Sequence, residues 1–531
     1  MTQQELIFAE VPVEKFSLLT KEELIVYLKA EQSLRLQLQK ENENLRALKE
    51  ELKQKSYSVD ELLITIKNKI YGRSSERSIK PEAKKGKSSG KDKKKRVLLP
   101  SLRYPEAPLL ERDITLDVLP SCSCCGTQMH DTGMTEDSEY LTVIPKQHIV
   151  VRQKRHKYGC DKCHGDMKTA PAPPKIIEGG AYSDEMVIDA SLSKYCDLIP
   201  MERYAAMAGR EGLSDLPPQS LIEGSHQLAA FVKPAYSKIK NEVTSSTVWH
   251  ADETPHRMLE GSPIMSWYLW GFSTPTACYF EYHSTRSGDV AYELLLNSRC
   301  QFLVSDVFSG YNKAVKEANK KRAEQKLELI INVYCNAHSR RKFREADKVL
   351  EQLIESATTV EEKAALEAAR QEVRFYLRQY RKIYRLDDLA KRHPAKTAAI
   401  RLRMRKYFAK MQVKAFGDLT GYSAKSAFGK AMSYFLKNYE GFTRFLDNVD
   451  LPIDNNPQER LLRNPVIGRK TWYGTHSKLG AQTAAILFTL VESCKLNKVN
   501  PREYFRTFVE ELHQGKSAFT PWEYKRRIQS I

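Results

Sequence analysis

Apolar residues recur at heptad spacing across residues 18–54, a stretch rich in Leu, Glu, Lys and Gln and free of Gly and Pro. Leu24, Leu38, Leu45 and Leu52 share one heptad position, Leu28 opens the partner seam, and Arg35, Asn42 and Lys49 fill the rest of it. Polar seam residues lower stability while restricting register and oligomer state. The pattern predicts a short, imperfect, dimeric coiled coil, with a solitary docked amphipathic helix as the alternative. Helical spacing returns over residues 182–232, after the proline-rich break TAPAPPK. There MERYAAMAGREGLSDLPPQSLIEGSHQLAAF reads as a helix, a glycine-containing turn, and a second helix that starts at Pro217 behind a Ser214/Asp215 cap. A helix-turn-helix DNA reader and a plain helical core fit that segment equally.

From residue 246 the period shortens to that of strands. TVWHADET is an apolar-leading run that ends at Asp252, and MSWYLWGF and ACYFEYHS continue an antiparallel meander. DVAYELLLNS is a helix, QFLVSD a buried strand ending at Asp306, LIINVYCNAH a fifth strand and SRRKFREADKVL a further helix. Three strands, helix, strand, helix, strand, helix is the order of a ribonuclease H-like domain. In that fold the first and fourth strands are neighbours, so Asp252 and Asp306 are expected at one edge. Each aspartate alone reads as a strand-end turn former. As neighbours they repel unless a cation lies between them. Two Mg²⁺ ions bridged by carboxylates would justify the arrangement, because hard oxygen ligands suit Mg²⁺.

A third acid is available in LPIDNNPQERLLRNPVIGRKTWYG. Asn455-Asn456-Pro457 predicts a helix start, with Asn456 at the N-cap and Pro457 at the first helical position. Glu459 then falls in the first turn, facing the sheet. As an ordinary helix residue it would be a capping-box acid or an i,i+4 partner of Arg463. Asp454 is its rival in the same turn. Arg460, Arg463, Arg469 and Lys470, with Arg340 and Arg341, are expected phosphate contacts. Trp472 and Tyr473 are candidates for base stacking or for core packing. Cys335-x-x-His338 has the spacing of a metal half-site with no visible second half; it is expected to be a strand-to-helix corner that brings His338 near the catalytic edge.

Composition narrows the class. A net charge of +19 over 531 residues favours a polyanionic partner, nucleic acid above all. Residues 73–100 form a Lys- and Ser-rich flexible linker. No apolar run approaches a bilayer span and the N-terminus lacks a signal-peptide pattern, so a cytoplasmic protein is expected. Of ten cysteines, Cys122, Cys125, Cys160 and Cys163 make two C-x-x-C pairs, the soft tetrahedral set of one structural Zn²⁺, with Cys124 and His164 as spare ligands. TEDSEYLTVIPKQHIVVRQKRHKYGC, between the pairs, alternates like paired strands.

HADET, SDVFSGYNKA, CNAHSRRKF and DNNPQERLLRNPVIGRKTWYG, preceded by YGRSSER and a C-x-x-C-G knuckle, make the chain resemble bacterial DDE transposases of the insertion-sequence sixty-six family. The resemblance implies an α+β multidomain protein. Its expected parts are an N-terminal helical coiled coil (1–72), a basic linker (73–100), a zinc ribbon (101–176) and a helix-turn-helix-like segment (177–243). A ribonuclease H-like catalytic core with a mixed five-stranded sheet follows (244–348 and 453–495), interrupted by a helical insertion (349–452) and closed by C-terminal helices (496–531). It also implies Asp252, Asp306 and Glu459 as catalytic ligands for two Mg²⁺ or Mn²⁺ ions that cleave phosphodiesters and transfer strands. The implied partners are double-stranded terminal-repeat and target DNA, a second copy of the chain on that DNA, and accessory proteins of the same element, at the bacterial nucleoid. A metal-dependent nuclease and a catalytically silent DNA-binding protein are the alternatives.

Overall fold

The computed structural model describes residues 99–529, apart from 105–106, 111–113, 115–117, 131–137, 144–145, 160–166 and 260–264. The heptad stretch, nearly all of the basic linker, and Cys160, Cys163 and His164 lie outside the described residues. The chain divides into two compact units, Met1–Thr142 and Val143–Ile531. In the first, a helical turn at Pro100–Arg103 is tied down by Ser101, whose N–H and hydroxyl both donate to the Glu139 carboxylate.

The second unit begins with an extended segment and a small antiparallel hairpin, β1 (Lys157–Gly159) with β2 (Met167–Thr169). The pairing expected from the alternation upstream of Cys160 is confined to this hairpin among the described residues. Ile149, Val150 and Val151 lie exposed, and no strand among the described residues pairs with them.

Four helices lead to the main sheet: α1 (Asp184–Tyr195), α2 (Met201–Arg210), α3 (Pro218–Phe231) and α4 (Lys233–Ser245). The expected cap of α3 is not formed. Pro217 stands at the N-cap position and offers no side-chain acceptor, while Asp215 takes a left-handed φ of 57° in the turn. Helix α3 contains no Lys or Arg, and His226 Nδ1 meets Thr483 Oγ1 at 2.7 Å on a helix of the main core.

The main sheet contains β3 (Val248–Met258), β4 (Met265–Ser273), β5 (Cys278–His283), β6 (Phe302–Ser305) and β7 (Ile331–Tyr334), in the order β5-β4-β3-β6-β7. The first three strands are antiparallel; β3–β6 and β6–β7 are parallel. Helix α5 (Asp289–Leu296) precedes β6, and α6 (Ser309–Glu324) connects β6 to β7. The sheet is mixed because a tight turn suffices for antiparallel neighbours, whereas a parallel pair needs a crossover.

Strand pleating divides the sheet into two faces. Trp249, Ala251 and Leu303 enter a core shared with Leu487 and Val491 of α13 (Lys478–Leu496). Val304 and Val333 enter a second core with Phe343, Tyr376, Phe408 and Phe435. These rings belong to α7 (Asn336–Ser356), α8 (Val360–Arg392), α9 (Thr397–Asp418) and α10 (Ala427–Lys437). Helix α7 runs unbroken across residue 348, so the helical layer grows out of the sheet without a joint. The edge strand β5 is covered as well: Thr489 and Ser493 of α13 accept from the N–H groups of Phe280 and Cys278, satisfying donors that would otherwise invite pairing. After the helical layer come α11 (Asn456–Leu461), α12 (Arg463–Trp472), α13, α14 (Pro501–His513) and α15 (Pro521–Gln529). No helix among the described residues is long and apolar enough to cross a membrane.

Candidate active site

Register brings the two aspartates together. Strands β3 and β6 pair Val248 with Phe302, Trp249 with Leu303 and His250 with Val304. Carried two residues further, the same offset sets Asp252 against Asp306. Pleating agrees, since Asp252 shares the face of Val248 and His250, and Asp306 that of Val304. Both therefore address the side of the sheet covered by the helical layer.

Helix α11 delivers the third acid to that face. Asn455, rather than Asn456, holds its N-cap position, and the Asn455 side chain makes no cap bond. It is instead a buried cross-brace. His250 Nδ1 donates to Asn455 Oδ1 at 2.9 Å, and Asn455 Nδ2 donates to the Ala251 carbonyl at 2.8 Å. The Asn455 N–H reaches Cys335 Sγ at 3.1 Å. Asp454 takes over part of the capping by accepting from the Asn456 N–H at 3.2 Å. Asn336 fixes the preceding loop, donating to the carbonyls of Phe442 and Ile453 at 2.9 and 3.1 Å. Such buried bonds each contribute about 1 kcal/mol net, and breaking one strands a partner at a cost of roughly 1–3 kcal/mol.

The consequence is electrostatic. Burial pushes the Asp252 carboxyl well above the usual carboxylate range, and the charges of Glu253, Asp306 and Glu459 push it further. Asp306 and Glu459, both distant from it in sequence, thus act on Asp252. A site that disfavours its own negative charge in this way is matched to a cation. Glu459 does not pair with Arg463, which opens the next helix. Its oxygens face His338 Nδ1 and an Arg341 guanidinium nitrogen, each at 3.7 Å. The rival Asp454 points elsewhere, against Tyr384 and Lys391 of α8, and burial raises its pKa.

Glu253 is a buried acid that sequence reasoning passed over. By pleating it lies on the opposite face from Asp252, where Tyr311 Oη donates to it at 2.7 Å and Arg286 Nη2 at 2.6 Å. The Arg286 guanidinium lies 4.1 Å from the Phe308 ring centroid. The Phe308 N–H donates to Asp306 Oδ1 at 3.0 Å. The contacts link the Asp252 strand to the Asp306 turn. Only the adjacency of two acids in HADET could have signalled it.

The expected phosphate contacts separate into two groups. Arg341, Arg460, Arg463 and Lys470 are exposed. Arg340 packs against the Tyr384 ring at 5.6 Å. Arg469 turns inward, donating to Thr254 Oγ1 at 3.3 Å, because α12 crosses β3 at that point. Trp472 packs edge-on to Tyr195 in the core, while Tyr473 is exposed in a left-handed conformation.

In the first unit, Cys122 and Cys125 form a tight knuckle. Gly126 N–H donates to the Cys122 carbonyl at 2.9 Å, with Gly126 at a φ of 70°. The amides of Cys124 and Cys125 point at the Cys122 sulfur and lower its pKa. Amide donors aimed at a thiolate fit a zinc knuckle.

The family model described as Transposase IS66 family matches residues 179–483, more than half of the chain and inclusive of all three acids. A second, the zinc-finger binding domain of transposase IS66, matches residues 120–164 and spans both cysteine pairs. The chain is also similar to three proteins of Sinorhizobium fredii. Uncharacterized protein y4hP is 24% identical, over 80% of this chain and 77% of that one. For y4jD the values are 25%, 76% and 78%, and for y4qI 26%, 82% and 79%.

Proposed function

Because the chain belongs to the transposase IS66 family, we propose that it binds the ends of a mobile element and performs metal-dependent phosphodiester cleavage and strand transfer on a ribonuclease H-like core. The reading is supported above all by the β3–β6 register, which carried two residues on brings Asp252 opposite Asp306, with burial and then the charges of Glu253, Asp306 and Glu459 raising the Asp252 pKa. Strand order and mixed sheet direction support the fold assignment. Asp252, Asp306 and Glu459 would hold Mg²⁺ or Mn²⁺, which when bound neutralises charge on the nucleophilic and leaving oxygens. The chain's own contribution is positioning. Asn455 docks α11 on β3, the Phe308 amide orients Asp306, and Arg341 stands beside Glu459 where it can meet a phosphate.

The exposed Arg341, Arg460, Arg463 and Lys470 would hold the DNA backbone, and Arg340 and Arg469 would support them from beneath. The zinc finger and the heptad stretch would recognise element ends and pair two copies of the chain. Terminal-repeat DNA supplied with Mg²⁺ tests the reading. Asp252→Asn is expected to abolish cleavage and the joining of pre-cut ends while end binding persists. Cleavage by wild type with no joining of pre-cut ends would instead favour a nuclease, and retained cleavage in the variant would refute the assignment of Asp252.

A further inference from the structure

Cys335-x-x-His338 has the spacing of a metal half-site, and the tertiary structure sets a third potential ligand, Glu459, beside it. A ligand atom of Glu459 lies with Cys335 Sγ and a His338 ring nitrogen in one cluster, all within 4.8 Å of one another. His338 Nδ1 and Glu459 Oε1 face each other at 3.7 Å, beyond hydrogen-bond distance. Each of these two atoms is buried and without a hydrogen-bond partner. Two ligands each about 2.1 Å from a tetrahedral ion are roughly 3.4 Å apart. The gap is thus close to what one ion would span. The Cys335 thiol is fully buried at the N-terminus of α7, beside the pair.

We propose that Cys335, His338 and Glu459 form a site for a thiophilic divalent cation of the zinc class, and that its occupation withdraws Glu459 from Asp252 and Asp306. One sulfur, one nitrogen and one oxygen are the ligands of Zn²⁺ or Co²⁺ rather than Mg²⁺. Binding would release the thiol proton to solvent and leave the fourth tetrahedral position open. The site's inhibitory consequence rests on the catalytic reading above; its existence does not. Helix α11 would then be shared between two ions of different softness, and zinc would compete with Mg²⁺-supported cleavage.

The test counts metal in the full-length chain equilibrated with Zn²⁺ and follows Co²⁺ by its thiolate charge-transfer absorption. Two ions per chain are expected, one in the zinc finger and one here. Cys335→Ser, which keeps an acceptor for the Asn455 N–H, and His338→Ala should each reduce the count to one. Cys122→Ser should also reduce it to one, leaving the Co²⁺ absorption of the second site. Circular dichroism melting identifies a variant that fails to fold; in that case the Co²⁺ spectrum of Cys122→Ser decides alone. One ion in the wild type, or an unchanged count in both Cys335→Ser and His338→Ala, overturns the proposal. Low Zn²⁺ should inhibit wild-type cleavage at least tenfold more than it inhibits Cys335→Ser. Equal inhibition refutes the withdrawal of Glu459. Two ions counted in a protein that cleaves nothing with Mg²⁺ would leave the site standing and remove the catalytic reading.

Discussion

Asp252 and Gly271 are direct partners across the antiparallel β3–β4 ladder. The missing side chain at Gly271 makes room for Gln458, whose Nε2 would lie 2.2 Å from an added Cβ. Gln458 is fully buried and immediately precedes Glu459. The space above Gly271 therefore sets how closely α11 approaches the sheet beside Asp252.

Gly271→Ala should accordingly lift α11. We expect a loss of roughly 1–3 kcal/mol in stability from overpacking. Cleavage should fall by at least tenfold, measured on pre-folded protein below its melting temperature. A variant with wild-type activity would show that α11 docks independently of this contact.

Repulsion at Asp252 makes a second prediction. An aspartate whose folded pKa is raised destabilises the folded state above its unfolded pKa, because the folded chain binds more protons there. Asp252→Asn should therefore raise the melting temperature of metal-free protein at pH 7. Mg²⁺ or Mn²⁺ should raise the wild-type melting temperature and raise that of the variant less. Equal metal shifts in the two proteins would argue against Asp252 as a ligand.

Histidines predict the acid limb. Burial, with Arg469 nearby, depresses His256 to about 4, and it contacts Thr475 Oγ1. Burial also lowers His226, His250 and His338. A His with a depressed folded pKa is protonated first in the unfolded chain. Stability is then full above pH 6.5 and falls as pH drops toward 4; His256 alone accounts for about 3 kcal/mol. His256→Gln should flatten the dependence of melting temperature on pH between 7 and 4.5. A slope identical to wild type would show that His256 does not carry it.

The exposed cations predict salt dependence. Replacing Arg460, Arg463 and Lys470 together by Ala should weaken DNA binding whatever the sequence. The slope of log affinity against log salt should become less negative by about 2–3. An unchanged slope, read by fluorescence anisotropy over a salt series, would place the DNA elsewhere.

Local spacing determined which segments of this chain become strands and helices, because period and punctuation act over a few residues. The three antiparallel runs, the two later strands and Asp306 just past the fourth strand are legible in that way, whereas Asp252, expected where its strand stops, lies inside β3, which pairs with β4 as far as Met258. The spacing was silent on Asn455 bridging His250 and Ala251, on Gln458 filling the space over Gly271, on Arg469 turning inward, and on Glu459 meeting Cys335 and His338. Those contacts join residues one hundred or more positions apart. Each side chain has an adequate local role, as a cap, a surface cation or a turn acid. Tertiary packing chose otherwise, because burying a polar group is tolerable only where a distant partner satisfies it.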